Sequence, residues 1–305
     1  MTKTKFAPFI DVSINAEWSD WQNYPQGRPN KIYSDAAINI GIDMLFFGFL
    51  TAASNNQACW SAQPTMPIDW AQPLAQELIA GGVKVAVSFG GAANADISNV
   101  MTVEQLITVY QQVIDQLGAT HLDFDFENGL YNEDKAFVAL QSIKAKNPSV
   151  TMSLTLPIMP TGLTGVGLAL VQKAKAAGLQ MKINGMAMDY YSPSHTEMGV
   201  AAVQAATSLK EQLAVIYPTL TEAQLYEKVQ ITPMIGINDD GTLFKFADID
   251  ILTAFAKTNA MDLIAIWSLT RDNPGGGQWA DAEHSGNPEQ TTQFEYSTRF
   301  VAALK

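Results

Sequence analysis

Cysteine is all but missing from this chain of 305 residues. Cys59 stands alone, so no internal disulfide and no thiolate metal cluster can form, and it reads as a small buried residue beside Trp60. Histidine is nearly as scarce. His121, His195 and His284 lie far apart without metal-ligand spacing, which argues against a catalytic zinc; neither metal nor cofactor is expected. Positive charge is also short, with 18 Lys and Arg against 30 Asp and Glu and a net charge of −12. That balance speaks against nucleic acid and anionic membrane surfaces as partners. No apolar run reaches about 18 residues, so no membrane-spanning segment is expected. Gly275-Gly276-Gly277 lacks both a preceding Gly-x-Gly and a following Lys-Thr, so it reads as loop and not as a phosphate cradle. The opening "MTKTKFAPFIDVSI" enters a strand-like run without a signal-peptide pattern. The expectation is a chain kept inside the cell, or a mature domain excised from a longer precursor.

What the chain does have is alternation. Strand-like runs fall at 6–14, 43–53, 83–91, 121–127, 150–158, 182–191, 229–238 and 263–269. Between them, segments such as "VEQLITVYQQVIDQLG" and "NEDKAFVALQSIKAKN" carry apolar residues at helical spacing. Eight such units predict an α/β fold, a (β/α)8 TIM barrel, with residues 1–305 forming one domain. Catalytic groups of such barrels come from the C-terminal strand ends. Those ends carry Ser88 to Gly91, Asp125 and Glu127, Asp189 and Tyr190, Asn238, and Trp267. The turn-rich stretch 271–290 reads as a long loop over the barrel's top.

The stretch "HLDFDFENGL" (121–130) is the most unusual. In a strand, Asp123, Asp125 and Glu127 share one face, roughly 6 to 7 Å apart, while Leu122, Phe124 and Phe126 share the other. Crowded acids in a poorly hydrated place relieve their repulsion by keeping at least one proton. A solvated sheet face could also alternate acids with apolar residues. The third reading, a Mg²⁺ or Ca²⁺ site, needs ligands that converge, and one regular row converges poorly.

Taken in order, these segments resemble glycoside hydrolase family 18, the chitinase family. "LDFDFE" resembles its Asp-x-Asp-x-Glu strand, "SFGG" its third-strand Ser-x-Gly-Gly, and "MAMDYY" its sixth-strand Met-x-Met-Asp-Tyr. "ITPMIGIND" resembles the seventh strand of a bacterial and archaeal subgroup, and "IWSLTRD" the eighth-strand segment with a floor Trp. Two departures stand out. Many members carry an Asp where this chain has Thr120, a difference the subgroup shares. Only 24 residues separate the seventh and eighth strand-like runs, so the α+β insertion domain of some members is not expected and the cleft should be open.

The resemblance implies a chitinase that hydrolyses β-1,4-linked N-acetylglucosamine with retention and with the substrate's help, an exception to the two-carboxylate scheme. Glu127 is implied as general acid, its pKa raised by neighbouring acids. Asp125 is implied to orient the acetamido N–H and stabilise an oxazolinium ion, and Asp123 to share a proton with Asp125. Tyr190 would donate to the acetamido oxygen, Asp189 would hold a sugar hydroxyl, and Trp267 would be the floor. Met188, Ser88, Gly91, Asn238 and Arg271 complete the expected sugar-binding set, although Ser88 and Gly91 also fit a role in shaping the third strand's end. Arg271 equally fits a salt bridge to the acidic strand ends, and Trp18, Trp21, Trp60 and Trp279 could extend the sugar platform. The expected partners are chitin or its oligosaccharides, met by a monomer outside the cell. Two other readings use the same residues: an endo-β-N-acetylglucosaminidase on N-glycan cores, and a non-catalytic chitin-binding, lectin-like relative. Retention of Glu127 favours an enzyme.

Overall fold

A broken first strand closes the sheet on itself. The computed structural model describes residues 3–192 and 197–305, so His195 lies outside the described residues. Strand β1 runs in two pieces, Lys5–Phe6 and Phe9–Asp11. Pro8, between them, has no N–H to give to a ladder. The first piece pairs in parallel with β8 (Leu263–Ile264), the second with β2 (Met44–Ala52), so one strand joins both edges of the sheet. From β2 the order continues through β3 (Lys84–Gly90), β4 (His121–Asp125) and β5 (Thr151–Met159). It then passes β6 (Lys182–Met186) and β7 (Val229–Thr232) to reach β8. The (β/α)8 barrel that the alternation predicts is what the chain forms.

Each strand is followed by a main helix: α1 (Ile32–Ile40), α2 (Gln72–Ala80), α3 (Val103–Leu117), α4 (Glu133–Lys146), α5 (Gly165–Ala176), α6 (Met198–Ile216), α7 (Phe246–Asn259) and α8 (Glu295–Leu304). Local chemistry sets their ends. Thr102 and Gln105 cap the start of α3 reciprocally, and Gly118 stops it at φ 62°. Asn132 caps α4, whose first turn is acidic and last turn basic, as the helix dipole favours. Leu106, Val109, Tyr110 and Val113 turn inward from α3. There Tyr110 meets Phe89 and Phe124 edge-on, at 5.0 and 5.5 Å.

The apolar face of β4 therefore belongs to the layer between sheet and helices. Phe89 and Phe124 stack at 5.3 Å, and both are fully buried. Each such ring contributes about 1.5–3 kcal/mol, which helps to offset the cost of the acids on the strand's other face. A smaller core fills the barrel itself: Ala7, Phe9, Met44, Phe46, Ala86, Leu263 and Ala265, with Phe49 and Trp267 half-buried above it.

Several strands stop earlier than their sequence suggests. β4 ends at Asp125 and not at 127, β6 at Met186 and not at 191, β7 at Thr232 and not at 238. Beyond those points the backbone turns out of the ladder: Asp189 and Tyr191 both take φ 50°, and Gly236 takes φ 69°. These early exits supply the loops of the C-terminal face. Between β7 and β8 lie only a two-strand hairpin (Gly236–Ile237 with Leu243–Phe244) and α7, so no α+β domain covers the cleft. Among the described residues no helix is long and apolar enough to cross a membrane.

Candidate active site

Asp123 is fully buried inside the barrel and held by hydroxyls from neighbouring strands. Ser88 on β3 donates to its Oδ2 at 2.6 Å, while Thr155 at 2.8 Å and Ser153, both on β5, donate to its Oδ1. The pairing register brings them together: Ser88 and Ser153 are the cross-strand partners of Asp123. Burial raises the Asp123 carboxyl to about 6, and the hydroxyl donors limit that rise.

Asp125 lies one step higher on the same face and is also buried. Its Oδ1 accepts no hydrogen bond among the described residues. Burial, then the charges of Glu127 and Asp123, push its pKa well above the ordinary carboxylate range. Gly90 brings β3 against it. A Cβ there would stand 2.2 Å from the Asp125 carbonyl oxygen, at a φ of 92°. The adjoining Gly91 N–H donates to that same oxygen at 3.0 Å.

Glu127 has left the strand and stands exposed at the mouth. Its pKa is raised first by the water it loses there and then by Asp189. The sequence suggested its own strand's acids as the source of that pressure; Asp189 on the sixth unit adds to it, and the repulsion between Glu127 and Asp125 acts on both. Asn128 fixes the turn that follows, donating to the carbonyls of Gly91 and Asn94 at 2.8 Å each and accepting from Leu130 N–H at 2.8 Å. An Asn one residue after the acid is a turn signal legible in the sequence, although its partners on the third unit are not.

Asp125, Glu127, Met188, Asp189 and Trp267, all singled out from the sequence, line one cavity of about 190 Å³. Its floor is aromatic: Phe49 stacks on Trp267 with ring centres 5.6 Å apart, and Phe9 lies tilted at 6.3 Å. Met186 and Met234 add apolar wall, Thr155, Thr232 and Asp239 polar wall. None of these was picked out, because Phe9 and Phe49 sit in apolar runs where a ligand-facing ring looks like any core ring. A second cavity of about 270 Å³ shares Met234, Asp239 and Trp267 and continues toward Asp11 and Asp281.

Asp189 is braced by Asp239, whose N–H donates to its Oδ1 at 2.7 Å. Burial and the charges of Asp239 and Asp240 raise its pKa to about 6. Several expected sugar contacts are instead framework. Ser88 spends its hydroxyl on Asp123 and is fully buried. Gly91 is a buried backbone seat beneath the Phe49 ring. Asn238 is buried, accepting from Asp189 N–H at 3.3 Å and donating to the carbonyls of Met234 and Gly236. Arg271 is buried and donates to the carbonyls of Ile235, Ile237 and Asp281, holding the 271–290 loop to the hairpin; it borders the second cavity and not the first, and no ion pair joins it to the acid row among the described residues. Tyr190 is buried in the main core and does not line the cavity. The alternation that aimed it inward ends with β6, and the wall position belongs to Met188. Trp60 is fully buried with its N–H on the Ile68 carbonyl at 3.2 Å, while Trp18, Trp21 and Trp279 are exposed.

No model of a known protein family matches the chain. Solved structures of the catalytic domain of a hyperthermophilic chitinase from Pyrococcus furiosus are 30% identical, with a TM-score of 0.85 over 100% of this chain and 96% of that one. One set holds catalytic-site mutants of that domain complexed with chito-oligosaccharides. Among curated proteins, a probable bifunctional chitinase/lysozyme of Escherichia coli is 31% identical over 74% of this chain and 27% of its own length. Endochitinase 11 of Metarhizium anisopliae is 28% identical over 89% of this chain and 53% of its own length. The chain thus spans about a quarter to a half of the curated relatives it matches.

Proposed function

Because the chain belongs to glycoside hydrolase family 18, we propose that it is a chitinase domain that cleaves β-1,4 linkages between N-acetylglucosamine units, with retention at the anomeric carbon. The observation that carries this reading is the graded acid row above an aromatic floor: Asp123 buried, Asp125 buried beside the cavity, Glu127 exposed at its mouth. A sugar whose apolar face lies on Trp267 and Phe49 has its glycosidic oxygen toward Glu127. With its pKa raised, Glu127 keeps the proton that the leaving oxygen needs. The acetamido carbonyl of the same sugar attacks the anomeric carbon, and Asp125 accepts the acetamido N–H through its unengaged oxygen. As positive charge spreads over the cyclic intermediate, Asp125 faces it as a carboxylate, and Asp123 tunes that charge through the repulsion between the two. Glu127, now ionised, takes a proton from the water that opens the ring. The open cleft and the outward acid suit a polymer substrate. With this reading we propose chitin as partner, a monomer, a place outside the cell, and one catalytic domain over residues 1–305.

The test is turnover of a fluorogenic N,N′-diacetylchitobioside or chitotrioside beside the matching cellobioside. Release of fluorophore from the N-acetylated substrates alone, unchanged by chelator, supports the reading. Release from neither substrate removes it, and loss of activity with chelator contradicts a mechanism carried by the acid row alone. A smaller expectation concerns the floor. Trp267→Ala removes a stacking ring, and such contacts contribute about 0.5–1.5 kcal/mol beyond area burial, so KM should rise roughly 3- to 10-fold with a lesser change in kcat. Steady-state kinetics on the chitotrioside checks it.

A further inference from the structure

A polar chain runs from Asp123 down the barrel, away from the substrate cleft. The Ser153 hydroxyl on Asp123 also lies 2.7 Å from Nε2 of His121. The other ring nitrogen, Nδ1, lies 2.7 Å from Oγ1 of Thr151. Strand register builds this line, since His121 faces Thr151 and Asp123 faces Ser153 on adjacent parallel strands. Thr151 is exposed, and with Thr120 and His121 it borders a separate cavity of about 390 Å³ at the N-terminal ends of the strands. A polar cavity of that size holds water. Although Asp123 is fully buried from the mouth, it is linked through Ser153, His121 and Thr151 to solvent at the barrel's base.

Hydrogen counting gives the chain two self-consistent polarities. Ser153 has one hydrogen and two neighbours that compete for it. When Asp123 is ionised, Ser153 donates to it, so Nε2 must carry the ring hydrogen and Nδ1 accepts from Thr151. When Asp123 is protonated and donates to Ser153, that hydroxyl turns to Nε2. The ring hydrogen then sits on Nδ1 and points at Thr151, whose own hydrogen goes to the Thr120 carbonyl 3.4 Å away. Every group is satisfied in both states, and the imidazole is neutral in both.

We infer that His121 and Ser153 form a proton relay that couples the protonation of Asp123 to the tautomer of His121, and that lets Asp123 exchange its proton with solvent at the base of the barrel while substrate covers the mouth. Outward, Asp123 gives a proton to Ser153, Ser153 passes its own to Nε2, the ring releases the one on Nδ1 to Thr151, and Thr151 gives one to water. Each relay group gains one proton and loses one, so the net change is one proton moved from Asp123 to water. The surroundings keep the ring uncharged. Burial lowers its pKa to about 3, Lys5 and Lys182 lower it further, and Asp262 opposes them. Asp43 and Lys84 line the same basal cavity, and Phe46 packs edge-on against the ring at 5.4 Å. The effect on rate rests on the hydrolase reading; the tautomer coupling does not.

The experiment is ¹⁵N NMR of the imidazole nitrogens in the whole chain, with and without Asp123→Asn, across the pH range in which Asp123 titrates. The expected result is that the His121 nitrogens exchange pyrrole-like and pyridine-like shifts with one midpoint, without an imidazolium signal, and that Asp123→Asn freezes one tautomer at every pH. One tautomer throughout the wild-type titration, or an imidazolium with an ordinary midpoint, overturns the relay. A second arm uses His121→Phe, which fills the space without nitrogens. Ser153 then donates to Asp123 alone, favouring its ionised form, so the acidic limb of kcat/KM should move to lower pH. A profile reduced by one factor at every pH means that the ring only packs there, and it overturns the catalytic part. If that variant does not fold, or the wild type proves inactive, the NMR result alone decides the coupling.

Discussion

Glu127→Gln should abolish most turnover and leave binding in place. The substitution keeps shape at the mouth of the cavity and removes the only proton that the mechanism delivers to the leaving oxygen. General acid catalysis is typically worth about 10² to 10⁴-fold, and kcat on a chitotrioside should fall by at least that much. Glu127 is exposed and makes no hydrogen bond on which the fold depends among the described residues, so the melting temperature should change little. Oligosaccharide affinity, read by calorimetry or fluorescence quenching of Trp267, should stay within a few-fold of wild type. Wild-type-like turnover would remove Glu127 from the mechanism. A joint loss of turnover and fold would mean that the residue is structural.

Asp125→Asn comes next in size. Asp125 faces the cavity with an oxygen that no protein group occupies, the arrangement expected of an acceptor reserved for substrate. An amide in its place neither supplies charge to the oxazolinium ion nor dependably accepts the acetamido N–H. Removing one preorganised electrostatic partner costs about 10² to 10³-fold in kcat. Asp123→Asn should cost less, because Asp123 reaches substrate only through Asp125. It should also destabilise the chain, since Ser88, Ser153 and Thr155 all donate to the carboxylate that the amide replaces. The order of the two rate effects matters more than either magnitude. If Asp123→Asn slows turnover and Asp125→Asn does not, the roles given to the two carboxyls are wrong.

The sequence was most informative where side-chain chemistry was out of place for its element. Three acids at every second position in an apolar strand mark a candidate site without any tertiary knowledge, and so does a Trp near the end of the last strand-like run. Residues whose role depends on a neighbouring strand were far less legible. Ser153 and Thr155 are ordinary strand residues until the β4–β5 register sets them against Asp123 and Asp125. Phe49 and Met234 look like core because the cavity wall and the core are built from the same residue types. The burial of Tyr190 away from the cavity lining has a plain physical cause. Alternation predicts direction only while the backbone stays extended, and at Asp189, with φ 50°, it does not. Arg271 was illegible for a related reason: a long loop without periodicity gives no hint that a guanidinium in it donates to carbonyls of the neighbouring hairpin.

The central claim is that the substrate's acetamido carbonyl, and no protein group, attacks the anomeric carbon between Asp125 and Glu127. Attack by the acetamido oxygen on the face opposite the leaving group, then by water on the face the leaving group left, inverts that carbon twice. Proton NMR of a chito-oligosaccharide digest, recorded within minutes and before mutarotation, reads the outcome directly, with fully deacetylated chitosan as the paired substrate. The account predicts the β-anomer as first product and negligible cleavage of the deacetylated polymer. An α-anomer appearing first, or efficient cleavage where no acetyl group exists, would contradict it.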